Sequence, residues 1–181
     1  MKKLISLLLA AAMVLCFAAC NDTTPEGVHN DILDTLVGVR YRGESSKITE
    51  LAPKEYWDWY EGQGRSVEEL ITYSTGAYNS WLDVIGGQFG NNLTVTYTIA
   101  SEEPLDDATM NRYASKMEEK FGIDAKTITD GKELTVAFTL TGSLMTDTIN
   151  SNFTMVTIAG KQYLILSVDQ DGEFSVSFQT Y

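Results

Sequence analysis

The pattern of apolar and polar positions divides the chain into a helical first part and a second part made mostly of strands. Up to about residue 90, apolar residues recur every three or four positions, which is the spacing of one face of a helix. The predicted helices begin after Asn30, Pro53 and Ser66, with a short helical piece around 46–51. Their predicted ends are the glycines Gly43, Gly62 or Gly64, and Gly86 with Gly87.

The third of these helices carries the clearest signals. Ser66 followed three residues later by Glu69 is typical of a capping box at a helix start. One face is apolar or small and is predicted to face the core: Val67, Leu70, Ile71, Ser74, Ala77, Tyr78, Trp81, Leu82 and Ile85.

After Asn91 the period changes to two. Residues 93, 95, 97 and 99 are apolar and alternate with three threonines, which predicts a half-buried strand. A second amphipathic helix is predicted from Asp106 or Asp107 to Gly122, with Met117 and Phe121 on its inward face.

The remainder is predicted as strands. Residues 125–129 are predicted to turn at Asp130-Gly131, a strong hairpin signal, into a strand through 134–140. Further strands are predicted at 153–158, 162–168 and 174–178. The order of helices, strand, helix and strands predicts an α+β fold in which helices cover one face of a curved, mostly antiparallel sheet.

The N-terminus has the features of a signal peptide. Lys2 and Lys3 precede an apolar run of about 16 residues, whereas a membrane-spanning helix needs about 20. Phe17-Ala18-Ala19-Cys20 resembles the lipobox of bacterial lipoprotein precursors, with Phe17 where leucine is usual. The resemblance implies removal of residues 1–19 and diacylation of Cys20, which would hold the chain at the cell membrane on the extracytoplasmic side. Residues 20–29 would then be a polar tether and 30–181 a single α+β domain.

Composition excludes several function classes. Without residues 1–19 the chain would keep 11 basic residues, having lost Lys2 and Lys3, against 25 acidic ones, a net charge near −14. Such a surface repels nucleic acid, so no nucleic-acid partner is expected. Cys16 would be removed and Cys20 lipidated, so no disulfide or thiolate site is expected; His29 beside the tether is interpreted as solvated. The sequence also indicates no cofactor and no metal site.

Several fragments resemble known families. They are Leu51-Ala52-Pro53, NNLTVTYTIASEEPLDD at 91–107, KFGIDAK at 120–126 and VTIAGKQYL at 156–164. They resemble a group of uncharacterised lipoproteins from Gram-positive, clostridia-type bacteria, in which tryptophan is common at the position of Gln162. The element order is similar to the cone-shaped nuclear-transport-factor-2-like and cystatin-related fold. This resemblance implies a curved sheet around a concave pocket, on a fold that hosts isomerases, dehydratases and non-enzymatic binders.

Two functions follow as hypotheses. The enzyme alternative is an isomerase or dehydratase, with Tyr97 or Tyr163 in the pocket and a carboxylate from a helix: Asp58, Glu61 or Asp83. It requires a hollow cone. A cone filled by the side chains of Phe138, Leu140, Met117 and Trp81 would exclude it. The preferred interpretation is a non-enzymatic module that binds an unknown small molecule, glycan or protein.

The best candidate for such binding is YWDWY at 56–60. A helix cannot bury four aromatic residues in five positions on one stripe, so Trp57, Trp59 and Tyr60 are the candidate ligand-binding residues. The alternative is a lid of aromatic side chains that seals the open end of the cone.

Overall fold

The computed structural model describes residues 30–165. Helices lead, and an open four-stranded antiparallel sheet in the order β1-β2-β3-β4 follows, so the predicted α+β class and order of elements are confirmed. The predicted signal peptide, the predicted tether with Cys20 and the strand predicted at 174–178 lie outside the described residues.

The described helices and strands follow one another in the order that the sequence pattern indicates. The helices are α1 (Asp31–Tyr41), α2 (Lys54–Gly62), α3 (Val67–Phe89) and α4 (Asp107–Phe121). The strands are β1 (Thr94–Pro104), β2 (Ile128–Thr141), β3 (Thr146–Ile158) and β4 (Lys161–Ile165). Two short 3₁₀ segments, Ser45–Glu50 and Ala125–Thr127, connect them.

Polar side chains fix where three helices begin. The Ser66 hydroxyl accepts a hydrogen bond from the Glu69 amide at 3.2 Å, and the Asp106 carboxylate accepts one from the Thr109 amide at 2.8 Å. Asn30 caps α1 by accepting from two backbone amides. Each such cap satisfies amides that have no partner within the helix, which contributes about 1 kcal/mol.

The predicted end of α3 at Gly86 and Gly87 is wrong. The helix continues through both glycines to Phe89, whose side chain is buried, and it ends at Gly90, whose positive φ of 78° suits a residue without a Cβ. Burial of Phe89 therefore outweighs the low helix propensity of the two glycines.

The predicted turn at Asp130-Gly131 is also wrong. β2 passes straight through this pair, with an irregularity of register between Ile128 and Asp130. Gly131 is buried in the strand, where a Cβ would overlap the side chains of Met110 and Leu105. The glycine thus permits close packing rather than a turn.

The strand boundaries nearby change as a result. Residues 125–127 form a 3₁₀ segment instead of a strand, and the turn between β2 and β3 lies at 142–145. β3 begins at Thr146, whereas the sequence pattern predicted a start at Phe153. The predicted hairpin at Ala159-Gly160 is confirmed, and both residues have positive φ.

The two faces of the sheet differ. The inner face is apolar and is covered by α1, whose Leu33, Leu36 and Val37 are buried against it. Each fully buried leucine of this kind contributes about 1.5–3 kcal/mol. At one end, however, α4 packs on the opposite, outer face, where Tyr113 and Met117 meet Val156 and Ile158. The predicted covering of one face by helices is thus found on the inner face, and α4 adds a second covered area on the outer face.

Most of the outer face carries small uncharged residues, here called the threonine face. Its residues are exposed or half-buried. They are Thr94, Thr96 and Thr98 of β1, Thr135, Ala137, Thr139 and Thr141 of β2, and Thr146, Thr148, Asn150 and Asn152 of β3.

Candidate functional site

The space between α1 and the inner face of the sheet is filled with side chains. Phe138 and Leu140 are completely buried there, as are Val136 and Leu33. Of the other two residues predicted to fill the cone, Met117 packs on the outer face, and Trp81 lies half-buried with its ring 5.5 Å from that of Tyr41. The described part of the inner face is therefore a packed core.

One tyrosine in this core contacts a carboxylate from a helix. The Tyr97 hydroxyl lies 3.2 Å from Asp34 Oδ1 and 3.4 Å from the Asn30 carbonyl oxygen, and both are acceptors for its proton. Burial raises the pKa of Tyr97 to about 12, and the negative charge of Asp34 adds to this rise. At neutral pH the phenol is protonated, so it can donate a hydrogen bond but cannot act as a base.

The residues that position this pair were not predicted as site residues. Asp34 lies in the first turn of α1, and Asn30, only 6% exposed, caps the same helix. The Asn30 side-chain amide also donates to Gln162 Oε1 at 3.3 Å, which ties the start of α1 to β4. An asparagine directly before an apolar helical pattern is a recognisable cap signal, but only the fold brings Asp34 beside β1.

The predicted catalytic residues are not brought together. Tyr163 lies on the outer face of the sheet, half-buried, with Lys161 Nζ 5.1 Å from its ring centre. Tyr97 lies on the inner face. Asp58 is exposed and forms an ion pair with Lys54, and Glu61 and Asp83 are exposed as well. The carboxylate that contacts a core tyrosine is thus Asp34 instead of the three predicted ones.

The candidate ligand-binding residues of α2 divide into a buried and a half-buried group. Trp57 is 6% exposed, and its indole nitrogen donates to the carbonyl oxygens of Thr49 at 2.9 Å and Ala52 at 3.2 Å. It therefore holds α2 against the preceding segment. Trp59 and Tyr60 are half-buried and reach the surface.

Trp59 and Tyr60, here called the aromatic ledge, are supported by other rings. The Trp59 ring lies 5.2 Å from that of Phe121 and 5.9 Å from that of Tyr56. Tyr60 stacks on Tyr56 at 6.4 Å, and the Arg65 guanidinium lies 5.4 Å from the Tyr60 ring centre. These contacts restrict the rotamers of the ledge. Trp59 and Tyr60 would therefore lose little side-chain entropy when a ligand stacks on them.

A surface groove of about 570 Å³ follows the exposed side of α3. Tyr73 and Val84 on this side are 68% and 62% exposed. Within residues 30–165 no carboxylate lines it, so the groove offers apolar contacts without an acid or base. Its described lining consists of Tyr73, Gly76, Ala77, Ser80, Trp81, Val84 and Ile85.

Two further observations concern metals and membranes. Among the described residues, His, Cys, Asp and Glu side chains nowhere form a group of three that would hold a metal ion. None of the described helices combines the length and apolarity needed to cross a bilayer.

Comparisons with known proteins give no family. No family model matches the chain, and neither the curated proteins nor the solved structures contain a match.

Proposed function

We propose that this chain is a lipid-anchored extracytoplasmic binding module, without enzymatic activity, that takes a glycan or a peptide at the aromatic ledge. The observation that carries the proposal is the arrangement of Trp59 and Tyr60, which reach the surface while both rings contact Tyr56 and the Trp59 ring also contacts Phe121. Asp58 and Glu61 beside them are exposed and supply hydrogen-bond acceptors.

The filled inner face also supports binding over catalysis. Phe138, Leu140 and Val136 fill the space between α1 and the sheet, which is where the resemblance to the nuclear-transport-factor-2-like cone would put a pocket. We assign the chain to that cone on the order of its helices and strands. A ligand would then bind on the outer surface rather than inside the cone.

Binding at the ledge is tested with the full chain immobilised and probed with a glycan array and a random peptide library. Trp59→Ala should weaken the strongest interaction by about tenfold, since a stacked aromatic pair contributes about 0.5–1.5 kcal/mol beyond the area that it buries. Tyr73→Ala removes a more exposed aromatic from α3 and should leave binding unchanged. Equal binding by the Trp59→Ala variant and the wild type would refute the ledge.

The lipid anchor is tested separately. Cys20→Ala should move the protein from the detergent phase to the aqueous phase in Triton X-114 partition, because the acyl chains could no longer be attached. Cys16→Ala is the matched control and should stay in the detergent phase. Aqueous partition of the wild type would contradict lipidation.

The Tyr97–Asp34 contact supports a second candidate function, that of an isomerase or dehydratase. A protonated phenol of raised pKa beside a carboxylate is the donor and base pair that an isomerase or dehydratase would use. If Asp34→Asn abolished turnover of a carbonyl substrate while the fold persisted, the enzyme would replace the binding module. The buried position of Tyr97, 4% exposed, favours a structural role.

A further inference from the structure

The threonine face is a regular array. The register sets Thr96 beside Thr139 and Thr139 beside Thr148, and it repeats this alignment with Thr94, Thr141 and Thr146. Neighbouring strands are about 4.8 Å apart and same-face residues about 6.7 Å apart, so the hydroxyls form a two-dimensional grid. The side chains are all short, and none rises above its neighbours as a lysine or arginine would.

Hydrogen bonds between strands hold the grid in a defined geometry. The Thr139 and Thr148 hydroxyl oxygens are 3.1 Å apart, and the Thr135 hydroxyl donates to Asn152 Oδ1 at 3.0 Å. A hydroxyl has one donor and two lone pairs, so each retains capacity for a further bond. Threonine is stiff at χ1 because it is β-branched, which limits the entropy lost when a ligand binds.

The charge of the surface indicates what kind of ligand fits. The chain has a net charge of −12, yet the threonine face contains no ionisable residue. An anionic polymer would be repelled by the rest of the molecule, and a cationic one would bind the acidic surfaces instead. The grid therefore suits an uncharged ligand with many donors and acceptors of its own.

The area of the threonine face distinguishes a second protein chain from a smaller ligand. Three strands, with three residues on β1 and four each on β2 and β3, cover about 15 Å by 25 Å, or about 400 Å². A stable protein interface buries about 800 Å² on each partner, so the face is too small for a second copy of the chain. We propose that the threonine face binds an extended, uncharged polysaccharide along the strands. None of its residues belongs to the aromatic ledge, so the two proposals do not depend on each other.

The test is co-sedimentation of the full chain with insoluble cellulose, chitin and β-1,3-glucan, with insoluble alginate as an anionic comparison. Retention is expected on at least one neutral polymer and not on alginate. Thr139→Val with Thr148→Val keeps the shape and strand propensity but removes two hydroxyls, and should weaken retention by about tenfold, since two hydrogen bonds are lost. The matched control is Thr72→Val with Thr75→Val on exposed positions of α3, which should behave like the wild type.

Three outcomes of the sedimentation assay would overturn the proposal. They are failure of every neutral polymer to retain the wild type, equal retention of the Thr139→Val/Thr148→Val variant, and equal retention on alginate. If sedimentation velocity found a wild-type dimer that this variant dissociates, the face would instead be a self-association surface, which also overturns it. Trp59→Ala should leave retention unchanged, so failure of the aromatic ledge and failure of the threonine face give different results.

Discussion

Tyr41 and Tyr97 contact the same buried ring, but their hydroxyls have different surroundings. Their rings lie 5.4 and 6.5 Å from that of Phe138. The Tyr97 hydroxyl contacts two acceptors, whereas the buried Tyr41 hydroxyl has no hydrogen-bond partner among the residues that the structure describes. Burying a polar group costs free energy unless a hydrogen bond compensates for it.

The same substitution should therefore have different effects at these two positions. Tyr97→Phe is expected to lower the free energy of unfolding by about 1–2 kcal/mol, because a buried hydrogen bond is lost. Tyr41→Phe should leave it unchanged or raise it by up to about 1 kcal/mol, because an unsatisfied hydroxyl is removed. Urea unfolding measures both, and a loss at Tyr41 as large as that at Tyr97 would show that its hydroxyl has a partner.

The buried phenols also predict how stability depends on pH. Burial raises the pKa of Tyr56 and of Tyr97 from 10.0 to about 12. Between these values the unfolded chain releases protons that the folded chain retains, so stability is complete below pH 10 and falls as the pH rises toward 12. Urea unfolding at pH 8, 10 and 11 should follow this fall, and Tyr97→Phe should make it shallower.

At the scale of elements, sequence patterns located the helices more reliably than the turns. A helix start is a local feature: Ser66 forms the cap that its spacing to Glu69 indicates, and α4 begins directly after Asp106, one of its two predicted starts. The predicted turn at Asp130-Gly131 is wrong because the role of Gly131 is set by Met110, which packs on it from α4. The Tyr97–Asp34 contact likewise joins residues 63 positions apart, and no local pattern reports it.

Two glycines, one within α3 and one beside its end, also differ in whether local structure or a neighbouring element sets their role. Substituting each of them tests this difference. A Cβ on Gly142 would overlap the Phe89 carbonyl at the end of α3, and a backbone atom cannot move aside as a side chain can. Gly142→Ala should therefore destabilise the protein by about 2–4 kcal/mol. Gly76 lies within α3 with no atom near such a Cβ, so Gly76→Ala should stabilise by about 0.5–1 kcal/mol through helix propensity. Thermal unfolding of both variants is the measurement, and a neutral Gly142→Ala would mean that the turn at 142–145 can move away from α3.

At the scale of the whole molecule, charge and packing are separated in space. The described apolar core contains no Asp, Glu, Lys or Arg, and the charged side chains that the structure describes lie outside it. Alternation along β1 predicted an outward row of threonines, but the extension of that row over β2 and β3 depends on strand register, which the sequence did not reveal.

The excess of acidic residues should make stability rise with salt. A net charge of −12 repels itself in the compact state, and ionic strength shortens the range of this repulsion to about 8–10 Å near 0.1–0.15 M. The melting temperature should rise by about 2–4 °C between 10 mM and 500 mM NaCl if about 1 kcal/mol of repulsion is screened. Replacing the exposed Glu61 and Asp83 by lysine reduces the negative charge by four, two for each substitution, and should reduce the rise. A melting temperature that falls with salt would instead mean that ion pairs such as Lys132–Glu102, at 2.8 Å, outweigh the repulsion.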